Sequence, residues 1–235
     1  MGIENRNGCL VCGKEFTYLK SPKHATCVYC GDVHDTDKVC VDGHYVCDRC
    51  HRLPAEGIIE KYCTTTTGID PIAIARTLMK NPAVKLHGPE HHFLVPAALI
   101  AAYYNVQGKP DVKGQKIGQA QQRAEMVNGG SCGLLGDCGA AVGTGIFILL
   151  VTGATPLSRE EWKFSNLITA KSLEQIALRG GPRCCKRNTF LAIRSAADFT
   201  REHLGIVMPI ATPITCEFPP QNNECLTKDC PFYFG

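Results

Sequence analysis

The chain has 235 residues, 44% of them apolar and 20% charged, with a formal net charge of +3. That is an ordinary globular composition, too neutral to require nucleic acid or an anionic membrane as partner. No apolar run of about 18 residues is free of helix-weakening glycine, and the opening residues MGIENRNGC have no apolar stretch for a secretory signal, so a cytoplasmic protein without a membrane span is expected. Cysteine is the outlier at 15 residues, an odd count that a fully paired disulfide framework cannot use. In a reducing compartment such density points to metal or cluster ligation.

Eight cysteines lie between Cys9 and Cys63, and seven between Cys132 and Cys230. The polar tract Thr64–Gly68 follows the first group and reads as a linker. It divides the chain into a small metal-built module at 1–63 and a larger domain at 64–235. The module opens with two knuckles, Cys9-Leu-Val-Cys12-Gly13 and Cys27-Val-Tyr-Cys30-Gly31. Two residues between thiolates let one ion take both, and the glycine relieves the backbone where its amides turn toward sulfur. Asp42-Gly43 reads as a hairpin turn, and Cys47-Asp-Arg-Cys50 opens a short helical stretch reaching about Tyr62.

Knuckle, hairpin and helical CxxC resemble a treble-clef zinc finger. The resemblance implies a tetrahedral site of Cys27, Cys30, Cys47 and Cys50, and leaves Cys9, Cys12, Cys40 and His44 as a second set, interleaved as in cross-braced two-zinc modules. The alternative is sequential, with Cys9, Cys12, Cys27 and Cys30 in one site and Cys40, His44, Cys47 and Cys50 in the other. Two zinc ions in closed sites would hold a fold rather than catalyse. Both knuckles are also CxxCG, as in rubredoxins, so mononuclear iron and electron transfer form the competing reading. Cys63 belongs to neither set.

The larger domain reads as mainly α. Asp70-Pro71 caps and opens a first helix that ends at Asn81-Pro82. Pro89 opens a second through Asn105, and a third runs near 115–127, stopping at Asn128-Gly129-Gly130. A fourth, about 138–151, is apolar all round and is expected at the centre. A fifth lies within 159–178, and a sixth runs from about Lys186 to Leu204. The proline-rich tail from Ile206 should be irregular.

Three segments of this domain carry thiols: Cys132 and Cys138 in NGGSCGLLGDCGAAVGTGI, Cys184 and Cys185 in GGPRCCKRN, and Cys216, Cys225 and Cys230-Pro231 in the tail. Cys138 and Cys184/Cys185 stand at helix starts, where free amides and partial positive charge favour a thiolate or an anionic cluster. Gly139, Gly143 and Gly145 strip the fourth helix of side chains, either for tight helix packing or to make room for a cluster or substrate. A cysteine followed by proline recurs in iron–sulfur ligand sets. All seven thiols are therefore candidate ligands. His87 lies in the loop before the second helix and His91 in its first turn, as candidate proton carriers or ligands against a capping or packing role. Arg183 and Arg187 are candidates to orient a carboxylate.

Over most of its length the chain resembles an uncharacterised family of anaerobic archaea and bacteria that combines an N-terminal CxxC module with HGPEHH, CGxxGxCGAAVGTG and GGPRCCKR motifs. More remotely, Gly130–Ala197 resembles the iron–sulfur α domain of bacterial L-serine dehydratases and related cysteine desulfidases. That likeness implies a [4Fe–4S] cluster on Cys138, Cys184 and one further cysteine, with an open iron acting on a small hydroxylated or thiolated substrate. His87 or His91 would move protons and Arg187 would bind substrate. The chain lacks that family's further cysteine followed by Asp-Pro, so the third ligand would come from Cys132, Cys185 or the tail. Three readings stay open: an iron–sulfur lyase, a redox or cluster carrier for a partner such as a radical-SAM enzyme, and a structural zinc protein.

Overall fold

The computed structural model describes residues 8–234. It is mainly helical, with one two-stranded sheet. Strands β1 (Phe16–Thr26) and β2 (Val33–Cys40) pair antiparallel, with an irregularity between Tyr18 and Lys23. An isolated two-stranded ribbon is marginal in water, and most of this one is exposed. The turn joining the strands is the second knuckle, where Gly31 N–H donates to the Cys27 carbonyl at 2.9 Å. Asp42-Gly43 is not the hairpin turn. It lies beyond β2 in a third knuckle, with Gly43 N–H donating to the Cys40 carbonyl at 2.7 Å. Gly13, Gly31 and Gly43 all sit at positive φ, from +74° to +81°, which closes each knuckle at little steric cost.

Helices α1 (Asp48–His51) and α2 (Ala55–Thr65) follow. The threonine tract is a fastened helix end rather than a loose linker. Thr64 and Thr65 finish α2, and the Asn105 side-chain amide donates to the carbonyls of Thr66 and Gly68 at 3.0 and 2.7 Å. Thr65 Oγ1 also donates to the Tyr29 carbonyl at 3.2 Å. Cys63, on the buried face of α2, is a wholly enclosed thiol.

The helical body comprises α3 (Pro71–Lys80), α4 (Glu90–Val106), α5 (Pro110–Ala124), the single turn α6 (Ser131–Leu134), α7 (Gly139–Thr152), α8 (Glu160–Ala177) and α9 (Cys185–Leu204). α5 begins earlier than its apolar period suggests, because Pro110 supplies a preset first-turn residue. Asp70 accepts from the amides of Ile72 and Ala73 at 2.8 and 3.1 Å, capping α3. Its second oxygen accepts from Ala211 N–H at 3.0 Å, so the same carboxylate ties down the tail.

α4 and α7 are both buried over most of their length and pack on each other. The three glycines of α7 are explained by that packing. A Cβ on Gly139 would strike the His92 ring, one on Gly145 would strike Thr169 of α8, and one on Gly143 would lie 2.8 Å from Pro96 and 3.1 Å from the His92 carbonyl. Pro96 lacks the N–H that would bond that carbonyl within α4. The bare backbone at Gly143 thus meets the place where α4 is short of a hydrogen bond. No described helix is long and apolar enough to cross a membrane.

Candidate metal centres

The N-terminal ligand-type residues gather into two interleaved sets. Cys9, Cys12, Cys40 and His44 form one, Cys27, Cys30, Cys47 and Cys50 the other, and within each the donor atoms all lie within 4.8 Å of one another. The sequential division is not formed. Zinc–sulfur bonds of about 2.3 Å in a tetrahedron place sulfurs about 3.8 Å apart. Cys30 and Cys47 sulfurs stand at 3.8 Å, and those of Cys12 and Cys40 at 3.4 Å.

The backbone is folded to receive thiolates. Val11, Asp42 and Cys47 amides each point at a sulfur (Cys9, Cys40 and Cys27) at 3.4 Å. His44 Nδ1 is buried without a hydrogen-bond partner, an orphan that a metal would satisfy. Burial raises the Cys12 thiol to about 11 and raises Cys50 as well. Thiols so placed keep their protons unless a cation replaces them. The residues fit two tetrahedral ions such as zinc.

The second group is arranged differently. The tail closes on itself through Cys216 N–H donating to the Phe232 carbonyl at 2.7 Å. This brings Cys216, Cys225 and Cys230 around Cys184 at the start of α9, with Leu86, Phe218, Asn222 and Phe232 completing the wall. The four thiols face one narrow space. All four cysteines line it, and each is part-buried. Among the described residues, no three of these sulfurs lie within 4.8 Å of one another, so the set is wider than a single-ion tetrahedron. Amides are again aimed at sulfur: Arg187 N–H at Cys184 (3.5 Å), Thr227 N–H at Cys225 (3.4 Å) and the Asn222 side chain at Cys184 (3.8 Å).

Lys186 lies beside these thiols, 1% exposed. Its ammonium donates to the Met79 and Val84 carbonyls at 3.2 and 3.1 Å and sits 5.0 Å from the centre of the Phe218 ring. Burial pulls its pKa down to about 8, against the upward pull of Glu90 and of Cys185, Cys184 and Cys216. Burial likewise pushes Cys216 up to about 11 and raises Cys184. A buried amine next to buried thiols is costly while the thiols are neutral, and is offset once they carry negative charge.

Cys132 and Cys138 do not join that set. They line a separate open cleft of about 580 Å³ with Leu173, Ala177, Arg183 and Asn188. Asn188 Nδ2 donates to Cys138 Sγ at 3.4 Å. Cys138 and Cys184 thus line different spaces, on either side of Arg187, and both raise the thiol of Cys185. Cys185 lies beside Gly88 in the loop before α4, and burial raises it to about 11.

Arg187 is buried and already engaged. Its guanidinium donates to the Gly180 and Pro182 carbonyls at 2.8 and 3.1 Å, which makes it a clamp on that loop rather than a free fork for a carboxylate. His91 is 1% exposed, with Nδ1 within 3.1 Å of the Gly88 carbonyl and Nε2 unpartnered. Burial, with Lys186 adding to it, holds its pKa well below the usual histidine range. His87 Nε2 stands 3.8 Å from Glu224. Neither histidine lines the cleft of Cys132 and Cys138. The sequence marks Lys186 as positive charge beside the thiols and Asn188 as part of the Cys184-x-x-Arg187-Asn188 element, whereas Asn222 is the functional-looking residue that sequence reasoning misses. The first two sit inside the GGPRCCKRN motif, whereas nothing local distinguishes Asn222.

What these features define is a cysteine-rich chain with two single-ion ligand sets and a wider thiol set. The chain belongs to a family of unknown function, DUF5714, whose model matches residues 59–233 and so takes in both the tail thiols and the cleft. No curated protein and no solved structure matches it, and the likeness to L-serine dehydratases finds no support there.

Proposed function

We propose that this is an iron–sulfur electron carrier whose N-terminal zinc module is structural and helps to present it to a partner enzyme. One observation carries the reading: Cys184, Cys216, Cys225 and Cys230 surround a single narrow space, with their sulfurs too far apart for one ion. In a cubane cluster each thiolate binds its own iron, so the sulfurs stand wider than around zinc, and four cysteines saturate the group. When bound, such a cluster supplies a one-electron couple. The chain's own residues direct amides at its sulfurs, shield it with Phe218 and Phe232, and place the Lys186 ammonium against its negative charge. Saturation by four thiolates leaves no open iron for elimination chemistry, which favours the carrier over the lyase. The partner is an enzyme that consumes single electrons.

Anaerobic purification of the full chain tests this. The expected result is about two zinc, with iron and acid-labile sulfide in equal amounts at about four each for a cubane. Dithionite should reduce the iron reversibly. Cys216→Ala should lose the iron and keep the zinc. Iron that survives Cys216→Ala but is lost in Cys138→Ala would overturn the ligand set, and a chain that binds zinc but takes up no iron on reconstitution would overturn the reading.

A further inference from the structure

The cleft that holds Cys132 and Cys138 is distinct from both kinds of metal site. Its two cysteines bracket a short loop, Cys132-Gly-Leu-Leu-Gly-Asp-Cys138. Ser131 Oγ donates to the Asp137 carbonyl at 3.1 Å, which pins the loop's ends together one residue before each cysteine. Leu135 N–H donates to the Ser131 carbonyl at 2.7 Å, and Gly136 takes φ +73° to complete the turn. Both cysteines are part-buried and line the same cleft. The Cys138 sulfur is held by Asn188, whereas Cys132 lies next to fully open backbone at Gly133. Between them in the chain, Asp137 Oδ1 is buried and has no hydrogen-bond partner. At the loop tip Leu134 and Leu135 are 82% and 74% exposed, apolar surface that the fold itself does not use.

We propose that Cys132 and Cys138 are a redox-active pair that exchanges with disulfides entering this cleft. The Cys132 thiolate attacks one sulfur of the incoming disulfide, forming a mixed disulfide and releasing one thiolate. Cys138 then attacks Cys132, forming the Cys132–Cys138 bond and releasing the second thiolate. The two protons lost by the pair go to the two released thiols, so atoms and electrons balance: the substrate disulfide is reduced and the cysteine pair oxidised. The leucines beside the cleft suit a polypeptide that carries the disulfide, and a small disulfide shares the same chemistry. The inference does not rest on the iron–sulfur reading, since the exchange needs no metal.

The test uses full-length protein under anaerobic conditions. Trypsin releases Ala124–Arg159 as one peptide that contains Cys132 and Cys138 and no other cysteine. Equilibration in glutathione redox buffers, followed by acid quench and alkylation, should convert this peptide from doubly alkylated to internally bonded. In Cys138→Ser the same peptide should carry glutathione on Cys132. A parallel arm with a disulfide-linked peptide distinguishes the sources, the faster arm naming the substrate. A peptide that stays doubly alkylated in both arms overturns the proposal, as does a Cys138→Ser protein that traps no adduct. Zinc and iron are measured on the same samples, so failure of the thiol pair and failure of the cluster are read separately.

Discussion

The N-terminal and C-terminal thiols solve the same electrostatic problem at two scales. In the N-terminal module, the four donors of each set lie within 4.8 Å of one another and every set includes a CxxC pair. In the tail site, four thiols surround one space without any three reaching that proximity, and three of them come from a segment with little regular structure. The first arrangement is made by short-range structure, three knuckles each with a glycine at positive φ and the single turn of α1. The second is made by tertiary closure, the Cys216–Phe232 backbone bond and the packing of Phe232 on Phe190. Donor spacing, rather than cysteine count, therefore separates the compact donor sets from the wider thiol set.

The largest effect should come from breaking the compact site. Cys50→Ser leaves three thiols around a dication in a ribbon with almost no buried apolar face. Structural zinc contributes roughly 10–16 kcal/mol of apparent binding energy in small modules. Hydrogen exchange should show loss of amide protection across β1 and β2, while α4, α7 and α9 remain protected. Protection lost equally in α4 would mean that the module and the helical body unfold as one, and the contrast between the two regions would fail.

The same contrast explains what could be read in advance. CxxC pairs and their glycines are local, so the two interleaved donor sets and the knuckle turns are legible from spacing. Most helix bounds are legible too, because Asp70-Pro71, Asn81-Pro82 and Gly205 act on adjacent backbone. The tail site is not. Cys184 meets Cys230 only after the chain has folded back, and Cys138, equally close to a helix start, ends in a different space. Helix-start placement marks both thiols alike, and three-dimensional closure separates them. The glycines of α7 were ambiguous for a similar reason, since a bare helix face looks the same whether a helix or a ligand fills it.

That ambiguity gives the next prediction. Gly143→Ala should cost about 1–3 kcal/mol, because its methyl would press on Pro96 and the His92 carbonyl. Gly118, in α5, has nothing within 4 Å of an added Cβ. Gly118→Ala should therefore stabilise the chain by about 1 kcal/mol through helix propensity. Chemical denaturation of the two variants separates packing from propensity, and a stabilising Gly143→Ala would reopen the space-for-a-ligand reading.

His91 supplies a pH effect outside the metal ligands. Lys186, His87 and His92 stand around it, all unfavourable to a second positive charge. Its folded pKa is depressed, so below the ordinary histidine range the unfolded chain binds a proton that the folded chain refuses. Stability should fall as pH drops below about 6.5, with a limiting slope of about 1.4 kcal/mol per pH unit from this group. His91→Gln should flatten that slope in anaerobic urea titrations between about pH 6.5 and 5. An unchanged slope would assign the acid sensitivity to other groups.

The smallest effect tests whether the tail loop is held under strain. Thr227 has φ +47°, a left-handed conformation that a β-branched residue adopts at a cost of order 1–3 kcal/mol. That conformation aims its amide at Cys225 and its carbonyl at the Cys230 amide, so the backbone between two proposed ligands depends on it. Asparagine tolerates the left-handed region and keeps both backbone groups. Thr227→Asn should therefore leave the iron content unchanged and raise unfolding stability by up to about 1 kcal/mol. The gain should appear in the iron-loaded and metal-free forms alike if the tail keeps its closure without metal. A gain confined to the iron-loaded form would mean that the strain is imposed by ligation, and that the tail's closed shape forms only around the bound group.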